Sequence, residues 1–138
     1  MSKTAVIYWS GTGNTEAMAK AVQKGAGLGA ELFVVSDFDT SKVDAFDAFA
    51  LGCPAMGSEA LEDGEFEPLF NEIKGQLAGK KVGLFGSYGW GDGAWMRTWE
   101  DDCAGAGITL AAESVICNDA PDDEALEACR ALGETLAQ

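Results

Sequence analysis

Residues 8–19 read YWSGTGNTEAMA, and they pose a problem in anion chemistry. An apolar run ends at Trp9, a glycine turn follows, and a helical pattern begins near Thr15. Strand, glycine turn and helix N-terminus together form a phosphate cradle, because the first helical amides have no partner and the helix dipole favours an anion. The loop nevertheless holds no Lys or Arg, and the next basic residue is Lys20. A triphosphate loop needs its lysine, and the dinucleotide fingerprint needs a small third residue where Glu16 stands. What remains is Ser10, Gly11, Thr12, Gly13, Asn14 and Thr15: hydroxyls, one side-chain amide and backbone N–H groups. Such a set suits a monophosphate held without a cation.

Two more loops carry unusual chemistry. GSYGWGDG at 86–93 places Trp90 among glycines, with no neighbours to bury it, so a flat apolar ligand is its expected partner. Trp95 and Trp99, at i and i+4, are expected to pack in the core instead. In CPAMGSE at 53–59, Met56 offers a soft surface for a ring, Gly57 lets its peptide take two orientations, and Glu59 offers an acceptor for an imide N–H. Phosphate at one loop, a flat ring between Met56 and Trp90, and an acceptor at the ring's edge describe flavin mononucleotide, FMN.

The elements that must position these loops alternate along the chain. Apolar strand-like runs fall at 3–9, 32–35, 48–53, 81–86 and from 108 to 113. Helical spacing is expected over 15–25, over 66–77 through Phe66, Leu69, Phe70, Ile73 and Leu77, over 94–104, and after Pro121 with Leu126, Cys129, Leu132 and Leu136 inward. A short helix is expected near 42–46. This pattern predicts one domain over residues 1–138, a three-layer α-β-α sandwich around a five-stranded parallel sheet of order 2-1-3-4-5. In that order strands one, three and four are neighbours, so the three loops meet at the carboxyl ends of the strands.

Composition narrows the function. The chain has 138 residues, no His and a net charge of −14. Absence of His removes the usual general base and any Ser–His or Cys–His nucleophile. The charge disfavours nucleic acid and anionic membranes as partners. No stretch resembles a signal peptide or a membrane span, so a cytoplasmic protein is expected. The four cysteines, Cys53, Cys103, Cys117 and Cys129, form no C-x-x-C pair and are expected as reduced thiols without a metal site.

With YWSGTGNTE, LGCPAMGSE, EFEP and GKKVGLFGSYGWGDG, the chain closely resembles the short-chain bacterial flavodoxins over essentially its whole length. The resemblance implies a low-potential one-electron carrier with non-covalent FMN, shuttling between semiquinone and hydroquinone among redox enzymes, with no catalytic residue of its own. It matches Ser10, Gly11, Thr12, Gly13, Asn14 and Thr15 to the phosphate loop, aided by Ser87. It matches Ala55, Met56, Gly57, Ser58 and Glu59, with Tyr88, Gly89, Trp90 and Gly91, to the ring site. Met56 and Trp90 flank the ring, the Met56–Gly57 peptide turns toward flavin N5–H on reduction, and Glu59 accepts from N3–H. Pro54 replaces a serine of some relatives, so no phosphate contact is assigned there, and none to the ring from the CNDA loop at 117–120.

Glu59, Glu62, Asp63, Glu65 and Asp92 are expected on the ring side. One carboxylate at about 10 Å, at an effective dielectric near 20, costs an added negative charge roughly 1.7 kcal/mol, on the order of 70 mV. The same acidic face is expected to dock reductases and low-potential acceptors, with the chain a monomer. The alternatives are an FMN-dependent NAD(P)H or quinone reductase, or an accessory redox protein dedicated to one metalloenzyme. A phospho-receiver is excluded: the first loop has no acid before Glu16, and no Lys follows Lys81.

Overall fold

The computed structural model describes residues 3–56, 60–89 and 91–138. Five parallel strands, β1 (Thr4–Tyr8), β2 (Ala30–Val34), β3 (Ala48–Gly52), β4 (Lys81–Tyr88) and β5 (Val115–Asn118), lie in the order β2-β1-β3-β4-β5. Four helices, α1 (Asn14–Ala26), α2 (Phe66–Ile73), α3 (Ala94–Gly105) and α4 (Asp123–Ala137), join them, with short 3-10 turns between. This is the architecture and strand order the sequence predicts.

Strand alternation divides the core. Ala5 and Ile7 of β1, Phe49 and Leu51 of β3 and Val82 and Leu84 of β4 face α2 and α3, where Phe66, Phe70, Trp95 and Trp99 pack. Val6, Tyr8, Ala48, Ala50 and Phe85 face α1 and α4, against Met18, Val22, Cys129 and Leu132. Trp95 and Trp99 are 1% and 2% exposed, and Trp99 meets Phe66 and Phe70 edge-on at 5.4 and 5.9 Å. Both tryptophans are therefore core residues, as their spacing indicates. On the other face α1 and α4 touch backbone to backbone. A Cβ on Gly25 would stand 2.0 Å from the Arg130 carbonyl oxygen, and one on Gly133 would stand 2.1 Å from that of Val22.

Two boundaries differ from expectation. The fifth strand is Val115–Asn118, whereas the sequence places its start at 108–113. There the chain makes only an isolated bridge, Leu110 with Val82, and a bend at Ala111–Ala112 separates the two apolar runs. α2 stops at Ile73 and tightens into a 3-10 turn, Lys74–Gln76, yet Leu77 stays fully buried. Among the described residues, no helix is long and apolar enough to cross a membrane.

Candidate functional site

The loops after β1, β3 and β4 meet above the carboxyl ends of those strands. Backbone hydrogen bonds hold them side by side: Trp9 N–H donates to the Gly52 carbonyl at 3.0 Å, and Ala55 N–H to that of Ser87 at 3.0 Å. Trp95 Nε1–H donates to the Cys53 carbonyl at 3.1 Å, tying α3 to the end of β3. Between the loops lies a cleft of about 270 Å³. One wall is Ser10, Gly11, Thr12, Asn14 and Thr15, and the others include Ala55, Met56, Ser87, Tyr88 and Gly89. Gly13 and Gly91 instead supply left-handed turns, at φ 96° and 95°. Gly57, Ser58, Glu59 and Trp90 lie outside the described residues.

The cradle is built as its residue types suggest. Gly13 takes the left-handed conformation at the N-cap of α1, and no side chain caps from that position. Ser10 Oγ substitutes, accepting the N–H groups of Gly13 at 3.0 Å and Glu16 at 3.3 Å. Thr12 Oγ1 accepts from Asn14 N–H at 3.4 Å. Thr15 is the telling residue: it is 1% exposed, and its hydroxyl oxygen has no hydrogen-bond partner among the described residues. An orphaned buried hydroxyl costs about 1–3 kcal/mol and calls for a partner. It sits in the wall of the cleft, at the positive end of α1. An oxyanion there would restore its bond, so the residues present fit a phosphate.

Three residues that sequence reasoning left unassigned also line the cleft: Trp9, Pro54 and Asp119. Their position at the ends of β1, β3 and β5 was the signal available, because those ends border the switch point. Asp119 has a left-handed backbone, φ 58°, and its N–H donates to the Tyr88 carbonyl at 2.7 Å. Ser87 Oγ–H donates to the Asp119 carbonyl at 2.6 Å. Asn118 Nδ2 donates to the carbonyls of Tyr88 and Gly89 at 3.2 and 3.0 Å. The 117–120 loop is thus strapped to the loop after β4. Ser87, expected to help hold phosphate, spends its one hydroxyl hydrogen on this strap.

The expected ring-side acids separate into two kinds. Asp63 and Glu65 are exposed. Asp92 is exposed and faces Arg97 at 3.2 Å. Glu62 is only 9% exposed and accepts three backbone N–H bonds, from Gly64, Glu65 and Phe66, each at 2.8 Å. Burial pushes its carboxyl pKa up, but those bonds outweigh burial and hold it below the ordinary value. Glu62 is therefore an internal anchor and not part of the solvated acidic surface.

A wider cleft, about 650 Å³, runs between β5 and α4 past Val115, Cys117, Ala128 and Leu132. It follows the side of the sheet, and where it reaches the N-terminus of α4 it is lined by the carboxylates of Asp122 and Glu124, which repel an anion.

A family profile described as Flavodoxin matches residues 6–133. This chain belongs to the flavodoxin family. It is 46% identical to the flavodoxin of Megasphaera elsdenii over 136 residues, covering 96% of this chain and 97% of that one. It is 45% identical to the flavodoxin of Clostridium beijerinckii over 135 residues, covering 96% and 97%. The solution structure of two-electron reduced M. elsdenii flavodoxin superposes with a TM-score of 0.87 at 47% identity, covering 97% of this chain and 98% of that one. As a flavodoxin-family member the chain is an FMN-carrying electron-transfer protein and not an enzyme, and it has redox partners.

Proposed function

We propose that the cleft above β1, β3 and β4 is the FMN seat of a low-potential one-electron carrier. The buried hydroxyl of Thr15 in the cradle after β1, without a hydrogen-bond partner among the described residues, carries this reading. Bound there, FMN supplies reversible electron transfer, and the protein supplies binding, orientation and electrostatics. Thr15 and Thr12, with the first amides of α1, hold the phosphate. Ser10 sets the shape of the loop by taking two of those amides. Met56 and Tyr88 cover apolar surface near the ring, and Trp90 and Glu59 take the flanking and acceptor roles implied by the sequence resemblance. The Met56 carbonyl, turned by a flip of the Met56–Gly57 peptide, holds the proton at flavin N5.

Asp63, Glu65 and Asp119 place negative charge around the loops. They oppose a further charge on the cofactor and so lower its potential. They also form the face to which basic patches of partner proteins dock, a steering effect that weakens with salt. Cytoplasmic residence and a monomeric state complete the reading.

The test compares FMN with riboflavin, which lacks the phosphate. Calorimetric titration of the apoprotein is expected to show much tighter binding of FMN, with Thr12→Ala and Thr15→Val erasing most of that preference and leaving riboflavin affinity nearly unchanged. Equal losses for both ligands would place the phosphate elsewhere.

A further inference from the structure

Among the described residues, the outer edge of β5 pairs with no strand. β1 and β3 are buried throughout, whereas no residue of β5 is, and Ile116 is 39% exposed. The direction of its peptide groups follows from the residue beyond it. Asp119 N–H donates to the Tyr88 carbonyl at 2.7 Å, toward β4, so the Asn118 carbonyl in the same peptide unit points off the sheet. Peptide directions alternate along a strand, which turns the N–H and C=O groups of Ile116 and Asn118 outward. Among the described residues, nothing donates to or accepts from them.

This edge opens into the wider cleft of about 650 Å³ beside α4. Every residue from Val115 to Asn118 lines that cleft. Side chains of a strand alternate between faces, so an unbroken run means that the cleft follows the edge itself. The opposite wall is one face of α4, where Ala125, Ala128 and Ala131 leave room above the buried Leu132. Glu113, Asp122 and Glu124 stand along the cleft, and among the described residues no Lys or Arg does.

Folded proteins guard open edges with charge, proline, bulges or a covering element. β2, at the other edge, carries the exposed Glu31, while the four residues of β5, VICN, carry no charge. An uncharged edge beside an apolar helix face can accept one more strand, with main-chain bonds giving affinity and alternate side chains giving selection. The carboxylates decide what that strand carries. A second copy of this chain would set one net charge of −14 against another, whereas a basic segment neutralises Glu113, Asp122 and Glu124.

We propose that the β5 edge and the α4 face take an extended segment of a partner protein, with alternating apolar and basic side chains, as a sixth strand. Its main chain bonds to Ile116 and Asn118, its apolar side chains lie over Ala125 and Ala128, and its Lys or Arg side chains meet the three carboxylates. Asn118 also ties this edge to the rim of the smaller cleft, through Nδ2 bonds to the Tyr88 and Gly89 carbonyls. A docked partner therefore lies beside that cleft. Only the use of this placement for electron transfer rests on reading the cleft as the FMN seat.

The probe is a short capped peptide alternating valine and lysine, titrated calorimetrically into the FMN-loaded protein, with amide exchange followed by NMR. One peptide is expected to bind per chain, more weakly as salt rises. It is expected to protect the amides of Ile116 and Asn118 and to leave those of Val115 and Cys117, which turn toward β4, unchanged. Methylating every peptide nitrogen removes the donors and is expected to weaken binding by about tenfold or more. Ala128→Arg, at an exposed helix position, is expected to do the same by filling the cleft with a cation. Absence of binding overturns the proposal. Equal binding of the methylated peptide, or unchanged exchange at Ile116 and Asn118, reduces the cleft to a charged surface and also overturns it. A dimer in sedimentation that protects those two amides without peptide makes a second copy the occupant, against the proposal. Failure of the seat reading shows separately, as a protein that takes up no FMN yet still binds the peptide.

Discussion

Ser87 and Asp119 are joined by a 2.6 Å hydrogen bond from the serine hydroxyl to the aspartate carbonyl, across the ends of β4 and β5. A residue that by resemblance belongs to the phosphate is thereby committed to holding a loop. Ser87→Ala is expected to cost about 1 kcal/mol of stability and to weaken FMN and riboflavin to the same degree. Titration of both ligands checks this, because a phosphate contact would spare riboflavin.

Thr15 makes the opposite trade. Its buried hydroxyl has no hydrogen-bond partner among the described residues, so the apoprotein bears its desolvation cost. Thr15→Val is expected to raise the melting temperature of the apoprotein, by an amount corresponding to about 1 kcal/mol, while lowering that of the FMN-loaded protein. Differential scanning calorimetry with and without FMN reads both signs.

The pH dependence of stability follows from Glu62. Its folded pKa lies below the unfolded reference of 4.5, because three N–H bonds favour the charged form more than burial opposes it. The unfolded chain therefore binds the proton more readily. The contribution of Glu62 is fully present above about pH 4.5 and is lost as pH falls through the folded pKa. Denaturant titrations from pH 7 down to pH 3 are expected to show a decline below pH 4.5 that is shallower in Glu62→Gln.

The thiols differ in accessibility. Burial, the largest cause in each case, pushes Cys53, Cys103 and Cys129 up to about 12, and it raises Cys117 as well, although that thiol is only partly buried. An aromatic disulfide reagent at pH 8 is expected to modify one thiol per folded chain, slowly, at Cys117, and all four after unfolding. Mass spectrometry of the labelled peptides identifies the site.

Much of this was legible in the sequence because it depends on local pattern. Strand alternation, the spacing of Phe66, Phe70 and Ile73, and the glycines of the loops each carry their own geometry. The tryptophans at 95 and 99 declare themselves by helical spacing. What was not legible depends on three-dimensional neighbours. Nothing in the string LEDGEFE distinguishes Glu62 from Asp63 or Glu65; only the fold around α2 shows which carboxylate turns inward. The bond from Ser87 to the Asp119 carbonyl likewise appears only once β5 ends beside it. The two apolar runs near β5 are short and similar, so periodicity could not decide which one completes the sheet.

The central claim is that this cleft holds one FMN and passes electrons singly. Anaerobic titration of FMN-reconstituted protein, followed by its visible spectrum, tests it most directly. The account predicts one FMN bound per chain and two resolved one-electron steps, the second at markedly lower potential. Failure to take up FMN, or reduction in a single two-electron step, would contradict it.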